Sequence, residues 1–368
     1  MIAQDGLKPL HSGLKSGSNT ERFTSIFRQP AEWSRHSAVW LAWPSHADLW
    51  EESLPAVQAE FAALCRTIAD PDLKTGACRG EKLNILLNTE KDRTTAENAL
   101  TGLFPLFHSI AFGDIWLRDT APIFVEGPEH SVVAMSYRFN GWGEKYLLPH
   151  DDRVSKQVAE ASGLHLDPRD WVLEGGSLDV DGEGTCLTTE QCLLNPNRNP
   201  GLSRAQIEKL LGESLGVTKT IWLKRGLKND HTDGHIDTLA RFVAPGKVLC
   251  MRGERNDPNH DALEEIYEDL RTSTDAQGRL LEVVAIPSPG SLFDEEGTLM
   301  PASYANFYIG NTTVAVPTYG MPNDSKAVEQ IARCFPRHRT VGLSAKKILE
   351  GGGAFHCITQ QQPAAQGE

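Results

Sequence analysis

No stretch of this 368-residue chain approaches the roughly 18 consecutive apolar residues that a bilayer-spanning helix requires. The first residues, Met1 to Lys8, also lack the apolar core of a secretory signal. Without such a signal, the glycosylation patterns at Asn311 and Asn323 read as chance. Cysteine is scarce and unpatterned: seven residues, an odd number, with no CxxC pair. That usage suits reduced thiols in a cytosol better than a disulfide framework, and a cytoplasmic location is expected. Basic residues are outnumbered, 36 Lys and Arg against 49 Asp and Glu, for a formal charge of −13. Such a balance argues against nucleic acid or an anionic membrane as partner and favours a small cationic molecule.

Several cofactor and metal signatures are missing as well. His231 and His235 stand four apart, but Thr232 and Gly234 disfavour a helix between them. No glutamate follows His231, so a zincin-type metal pair is not expected. Asp179, Asp181 and Glu183 fall short of a complete calcium loop. Gly351-Gly352-Gly353 is not followed by the Lys-Ser/Thr of a phosphate-binding loop. No metal and no cofactor are expected.

What is present is an alternation of strands and helices. Strands are expected at Ala38–Pro44, stopped by the proline, and at Lys82–Leu87, Ile123–Val125, Ser131–Phe139, Val172–Val180, Thr185–Thr189 and Thr220–Leu223. Others are expected at Ile236–Val243, Leu281–Ile286, Ser303–Ile309, Thr313–Val316 and Thr340–Leu343. Helices are expected at Ser53–Ala69, Ala96–Leu103, Leu202–Leu215, Ala262–Arg271, Ala327–Cys334 and Ala345–Leu349. Ser203 and Gln206 are spaced for a capping box. Residues 1–29 read as a loosely ordered extension, with a short helix near Phe27, and residues 30–368 as one α/β domain without internal linkers.

Four motifs carry reactive groups, each where a glycine or turn meets an apolar strand. They are Trp116-Leu117-Arg118-Asp119, Leu173-Glu174-Gly175-Gly176, Asp233-Gly234-His235-Ile236-Asp237, and the terminal Gly351-Gly352-Gly353-Ala354-Phe355-His356-Cys357. Their spacing has a rhythm: 55 residues from Asp119 to Glu174, 61 from Glu174 to His235, and 122 from His235 to Cys357, twice 61. Periods of this size suggest repeated units around a centre. Alone, Cys357 is more simply a buried inert thiol, and Asp119 beside Arg118 a surface ion pair. Together the groups suit attack on a guanidinium carbon. Two carboxylates can hold the planar cation, a thiol can add to its carbon, and a histidine can protonate departing ammonia.

The same motifs, with Ala42-Trp43-Pro44-Ser45, Phe139-Asn140-Gly141-Trp142-Gly143 and Leu193-Leu194-Asn195-Pro196-Asn197-Arg198-Asn199-Pro200, resemble those of agmatine deiminases. These belong to the bacterial-type peptidylarginine deiminase family within the guanidino-group modifying superfamily. The resemblance runs from about Pro30 to Pro363. It implies a five-bladed α/β propeller (pentein) with pseudo-fivefold symmetry. It also implies Cys357 as nucleophile, His235 as general acid/base assisted by Glu174, Asp119 and Asp237 as guanidinium ligands, and Trp116 as a wall that could equally be core. The implied reaction converts agmatine to N-carbamoylputrescine and ammonia, in polyamine biosynthesis. A homodimer is an expectation by analogy. Two positions depart from the family pattern, in which Asn often replaces Ala354 and Asp233. Arginine and peptidyl-arginine remain alternative substrates, with Arg118, Arg198, Arg225 and Arg241 as candidate partners for a substrate carboxylate. A non-catalytic polyamine-binding protein is the alternative of another class.

Overall fold

In the computed structural model, residues 25–72 and 74–365 are described. Their sixteen strands form five small sheets. The first holds β1 (His36–Ala42), β2 (Lys82–Leu87) and β3 (Leu106–Ser109), joined by β16 (Gln360–Pro363) from the other end of the chain. The second is β4 (Ile123–Glu126), β5 (Val132–Arg138) and β6 (His165–Val172). The third is β7 (Asp179–Val180), β8 (Thr185–Thr189) and β9 (Lys219–Leu223). The fourth is β10 (Ala240–Ala244), β11 (Lys247–Arg252) and β12 (Glu282–Pro287). The fifth is β13 (Tyr308–Ile309), β14 (Thr313–Thr318) and β15 (Arg339–Ser344).

Each sheet repeats one pattern. A first strand pairs antiparallel with a second, which pairs parallel with a third. A parallel step needs a crossover, and a helix supplies it in every unit. These are α1 (Leu54–Ala69), α3 (Asp151–Ser162), α4 (Arg204–Leu215), α5 (His260–Thr272) and α6 (Asp324–Cys334), while α2 (Glu90–Ala99) leads from β2 to β3. In the first sheet β16 plays the part that β4, β7, β10 and β13 play in theirs. The result is a five-bladed α/β propeller closed by its last strand.

Local chemistry explains the helix limits. The α1 stripe Val57, Phe61, Leu64 and Ile68 recurs at helical spacing and is buried. Ser203 and Gln206 complete the expected capping box on α4. The helix expected at Ala96–Leu103 starts earlier, because the Thr89 hydroxyl caps the N–H of Asp92 and holds a polar first turn. Three apolar clusters bridge neighbouring blades rather than filling any single one, so the blades stabilise each other.

Other expectations need correction. Residues 1–24 lie outside the described residues; among the described ones no helix forms near Phe27. There Arg28 makes a β-bridge with Glu126, and Gln29 N–H donates to Leu215 C=O at 2.9 Å. The strand expected over Val172–Val180 is interrupted, since β6 ends at Val172 and Gly175–Ser177 forms a 3-10 turn before β7. Likewise Ile236–Thr238 is a 3-10 turn, and β10 begins only at Ala240. Cys357 also lies in a turn, before β16. These three segments are equivalent, each being the approach to the first strand of a blade.

Candidate active site

That equivalence builds the site. Asp119 precedes β4, Glu174 precedes β7, His235 and Asp237 precede β10, Asn306 precedes β13, and Cys357 precedes β16. Each blade therefore contributes from the same place, and the five approaches meet in the buried centre. A turn frees the side chain from the alternation of a strand, so His235 and Asp237 both face inward although no strand joins them. Ile236 between them is fully buried in the apolar core.

Beneath the reactive groups lies a packed ion network drawn from all five blades. Arg241 donates from Nε to Asp179 Oδ1 (2.9 Å), from Nη2 to Glu32 Oε2 (2.6 Å) and from Nη1 to Phe307 C=O (2.8 Å). Glu32 Oε2 also meets His356 Nε2 at 2.7 Å, and His356 Nδ1 meets Asp237 Oδ2 at 2.7 Å. Arg118 bonds the C=O of His356 and the side chains of Gln360 and Gln361. Asp237 is thus fixed through one oxygen, and its buried Oδ1 has no hydrogen-bond partner.

Asp119 is fixed differently. Gly176 N–H donates to its Oδ1 (2.8 Å) and Trp142 Nε1 to its Oδ2 (2.8 Å). Glu174 Oε1 accepts from Arg198 Nε at 2.6 Å, while Oε2 lies 3.5 Å from His235 Nε2 and 3.7 Å from the Cys192 thiol. His235 Nδ1 stands 3.8 Å from Asp119 Oδ2, and neither ring nitrogen has a hydrogen-bond partner. Arg198 continues to Asp233 Oδ2 (2.8 Å), and Lys145 Nζ meets the other oxygen, Oδ1. The Asp233 carboxylate is therefore neutralised by two cations.

Cys357 is 8% exposed and opens on a cavity of about 1200 Å³. Asn306 Nδ2 lies 3.1 Å from its sulfur, and Asp237 Oδ2 lies 3.6 Å away. Two glycines make this geometry possible. A Cβ on Gly353 would stand 2.7 Å from the Trp116 ring and 3.0 Å from the Cys357 sulfur. A Cβ on Gly176 would lie 2.6 Å from His235 Nδ1 and 3.1 Å from both Asp119 and Asp237, so it would occupy the space those groups surround. Trp116 is both wall and core: it lines the cavity, is 7% exposed, and anchors its Nε1 on Asp114 at 2.8 Å.

Burial pushes the Cys357 thiol well above its ordinary pKa, and the carboxylates of Asp237 and Asp119 push it further. Burial also raises Asp119, although His235 pulls it back; Glu174 and Asp237 repel its charge. For His235 burial works against the charged ring, but Asp119 and Glu174 outweigh it and hold the pKa well above the ordinary value. Burial is similarly outweighed at Asp237 by the His356 hydrogen bond, and at Glu174 by His235 and Arg198, so both sit below the usual range. At Cys357, burial and the two neighbouring carboxylates therefore both disfavour the thiolate.

Sequence reasoning brings out Cys357, His235, Glu174, Asp119, Asp237 and Trp116, and the structure gathers all six. It misses Asn306, Glu32 and Cys192. The signal for Asn306 is the doubled interval between His235 and Cys357, which spans a whole blade. Arg118, Arg198 and Arg241, candidates for a substrate carboxylate, are buried and engaged by protein groups. Arg225 pairs with Glu265. None of the four lines the cavity. The suspected calcium ligands are also engaged: Asp179 by Arg241, and Asp181 by the hydroxyl and N–H of Thr185.

A five-bladed propeller that gathers a thiol, a histidine and paired carboxylates at its centre, with Cys357 and Asp119 open to one cavity, defines a class of guanidine-directed proteins, and the comparisons agree. Residues 28–363 match the Porphyromonas-type peptidyl-arginine deiminase family, and the chain belongs to it. It is 37% identical to an agmatine deiminase of Ectopseudomonas mendocina, covering 93% of this chain and 96% of that one. It is also 37% identical to an agmatine deiminase of Medicago truncatula, over 94% and 98% of the two chains. Among solved structures, agmatine deiminase of Enterococcus faecalis superposes with a TM-score of 0.85 at 34% identity, covering 92% and 96%. A cysteine-to-serine agmatine deiminase of C. jejuni with substrate bound gives 0.82 at 28%, covering 92% and 97%.

Proposed function

We propose that this protein hydrolyses agmatine to N-carbamoylputrescine and ammonia, a step toward putrescine. The observation that carries the reading is the buried pair Asp119 and Asp237 beside the Cys357 thiol, whose ionisation both carboxylates disfavour. A guanidinium seated between the two carboxylates supplies the missing positive charge. The same charge favours the thiolate, so substrate binding activates the nucleophile, the thiol proton passing to solvent as the cation is seated. Cys357 sulfur then adds to the guanidinium carbon, with Asn306 Nδ2 held beside it. His235 donates a proton to the departing amine, and ammonia leaves a thiouronium on the sulfur. The now neutral His235 takes a proton from water, hydroxide adds to the carbon, and the carbon–sulfur bond breaks to release the urea product. Glu174, held by Arg198, stabilises the charged form of His235.

The tail preference follows from the cavity wall. No arginine candidate faces it, whereas Glu51, Glu52, Asp294, Glu295, Glu296 and Glu350 do, beside Lys346 and Lys347. This rim suits an ammonium tail better than a carboxylate. The seven unpaired cysteines suit action in a reducing compartment, the cytoplasm.

The test is ammonia release by purified protein on agmatine, arginine and an arginyl peptide. Preference for agmatine is expected. Turnover of arginine alone would overturn the substrate and keep the chemistry. Release from none of the three would overturn the reaction.

A further inference from the structure

The active-site histidine has a second thiol in reach. Cys192, completely buried on the helical turn Glu190–Leu193 after β8, lies with Glu174 and His235 so that one donor atom from each falls within 4.8 Å of the others. From this geometry we infer a binding site for a thiophilic divalent cation, Zn²⁺ in particular, formed by Cys192 Sγ, His235 Nε2 and Glu174 Oε2, whose occupation switches the enzyme off.

Three observations carry it. The first is metric. Tetrahedral zinc at its usual bond lengths separates nitrogen and oxygen ligands by roughly 3.3 Å and sulfur and oxygen ligands by roughly 3.5 Å. Here His235 Nε2 to Glu174 Oε2 is 3.5 Å, and Cys192 Sγ to Glu174 Oε2 is 3.7 Å. Those two edges are within a few tenths of an ångström of the tetrahedral spacing, and the third, Cys192 Sγ to His235 Nε2, lies within 4.8 Å. The second is that His235 is 1% exposed with both ring nitrogens lacking hydrogen-bond partners, so a lone pair for a metal displaces no existing bond. The third is the surrounding shell. Arg198 already holds the other oxygen of Glu174 at 2.6 Å, orienting the free one as supporting groups do in metal sites. Asp119, 3.8 Å from the opposite ring nitrogen, would accept that nitrogen's N–H and steady the ring.

A thiolate, an imidazole and one carboxylate select zinc over magnesium or calcium, and three protein ligands leave a fourth position for water. On coordination the proton of the Cys192 thiol, and any on His235, passes to solvent. The metal then occupies the nitrogen that would exchange protons with substrate. Neither Cys192 nor Arg198 belongs to the four motifs that carry the reactive groups.

The test uses two readouts, one of which needs no substrate. Co²⁺ added to the chelator-stripped protein should give a sulfur-to-cobalt charge-transfer band that survives in Cys357→Ala and disappears in Cys192→Ser. Zn²⁺ inhibition of turnover, each variant scaled to its own rate in chelator, should weaken at least about 100-fold in Cys192→Ser, since loss of a mere supporting group costs 10–100-fold. A band that persists in Cys192→Ser, or vanishes in Cys357→Ala, would place the metal on other thiols and overturn the assignment. For the unmodified chain, anomalous diffraction at the zinc edge from a soaked crystal should show a peak among Glu174, Cys192 and His235. A peak elsewhere, or none, would overturn it too. Because the cobalt band is read without turnover, its outcome is separate from that of the deiminase reading.

Discussion

Glu32 lies outside every recognisable motif, yet its removal should be felt throughout the centre of the ring. Its two oxygens accept from three donors: Arg241 Nη2 (2.6 Å) and His356 Nε2 (2.7 Å) at Oε2, and Ile309 N–H (2.7 Å) at Oε1. Glu32→Gln keeps the shape but offers only one accepting atom. Either rotamer turns an NH₂ toward a donor, and Arg241 loses one of its two buried counter-charges. Breaking a buried pair in this way costs about 3–5 kcal/mol, which corresponds to a fall of about 4–6 °C in the midpoint of thermal unfolding for a chain of this size. The loss should change little with added salt, because the pair is shielded from it. Its pH dependence has a definite sign. Burial raises the Glu32 carboxyl, but Arg241 and His356 outweigh it and hold the pKa below the ordinary 4.5. The stabilisation is therefore complete above about 4.5 and is lost as pH falls through the lowered folded value. Glu32→Gln should unfold at a lower temperature near neutrality and lose less than the parent on acidification. Scanning calorimetry from pH 7 down to about 2 reads both effects, because the stabilisation is lost between the unfolded and the lowered folded pKa. A cost below about 1 kcal/mol, that of one ordinary hydrogen bond, would refute the ion network as a source of stability.

Cys357→Ser should leave less than about a thousandth of the turnover, roughly 4 kcal/mol in barrier, with the fold intact by circular dichroism; a tenth or more remaining would refute the nucleophile. Gly353→Ala places a methyl 2.7 Å from the Trp116 ring and 3.0 Å from the Cys357 sulfur, so turnover should fall while stability drops by about 1–3 kcal/mol. A variant with the parent's rate would show that the thiol is not crowded there. Burial pushes Asp151 up to about 7, and its Oδ2 is buried without a partner. The native state keeps a proton that the unfolded chain loses near pH 4, so this group costs stability as pH rises from about 4 to 7. Asp151→Asn should therefore gain about 1–3 kcal/mol over the parent at pH 8 relative to pH 4 in denaturant titrations; an equal difference at both values would refute the burial argument.

The sequence is most readable where a functional group must leave a turn beside an apolar strand. Asp119, Glu174, His235 and Cys357 are all of this kind, and glycines at 175, 176, 234 and 351–353 flag three of the turns. Asn306 has no such flag. It sits in Tyr304-Ala305-Asn306-Phe307-Tyr308, whose bulky buried neighbours read as plain strand. β3 and β6 escape notice because β3 has only exposed and half-buried positions, and β6 adds buried ones only at its end, without a clean alternation; β6 also contains Pro168. β11 carries a plain apolar run from Val248 to Met251, and nothing physical hides it. Arg198 illustrates a different limit. Its chemistry fits either a substrate carboxylate or Glu174, and only the three-dimensional contact decides between them.

The closure of the first blade by β16 also bears on how the protein is made. As the chain leaves the ribosome, β1 has its parallel neighbour β2 early but waits for an antiparallel partner more than three hundred residues downstream. Cys357 arrives just ahead of that partner. A nascent chain can form four blades and most of a fifth, yet it holds neither a closed ring nor the reactive thiol. Joining two such distant segments is slow, and both edges stay open to other strands meanwhile. The fold thus withholds its most reactive atom until the ring can close around it.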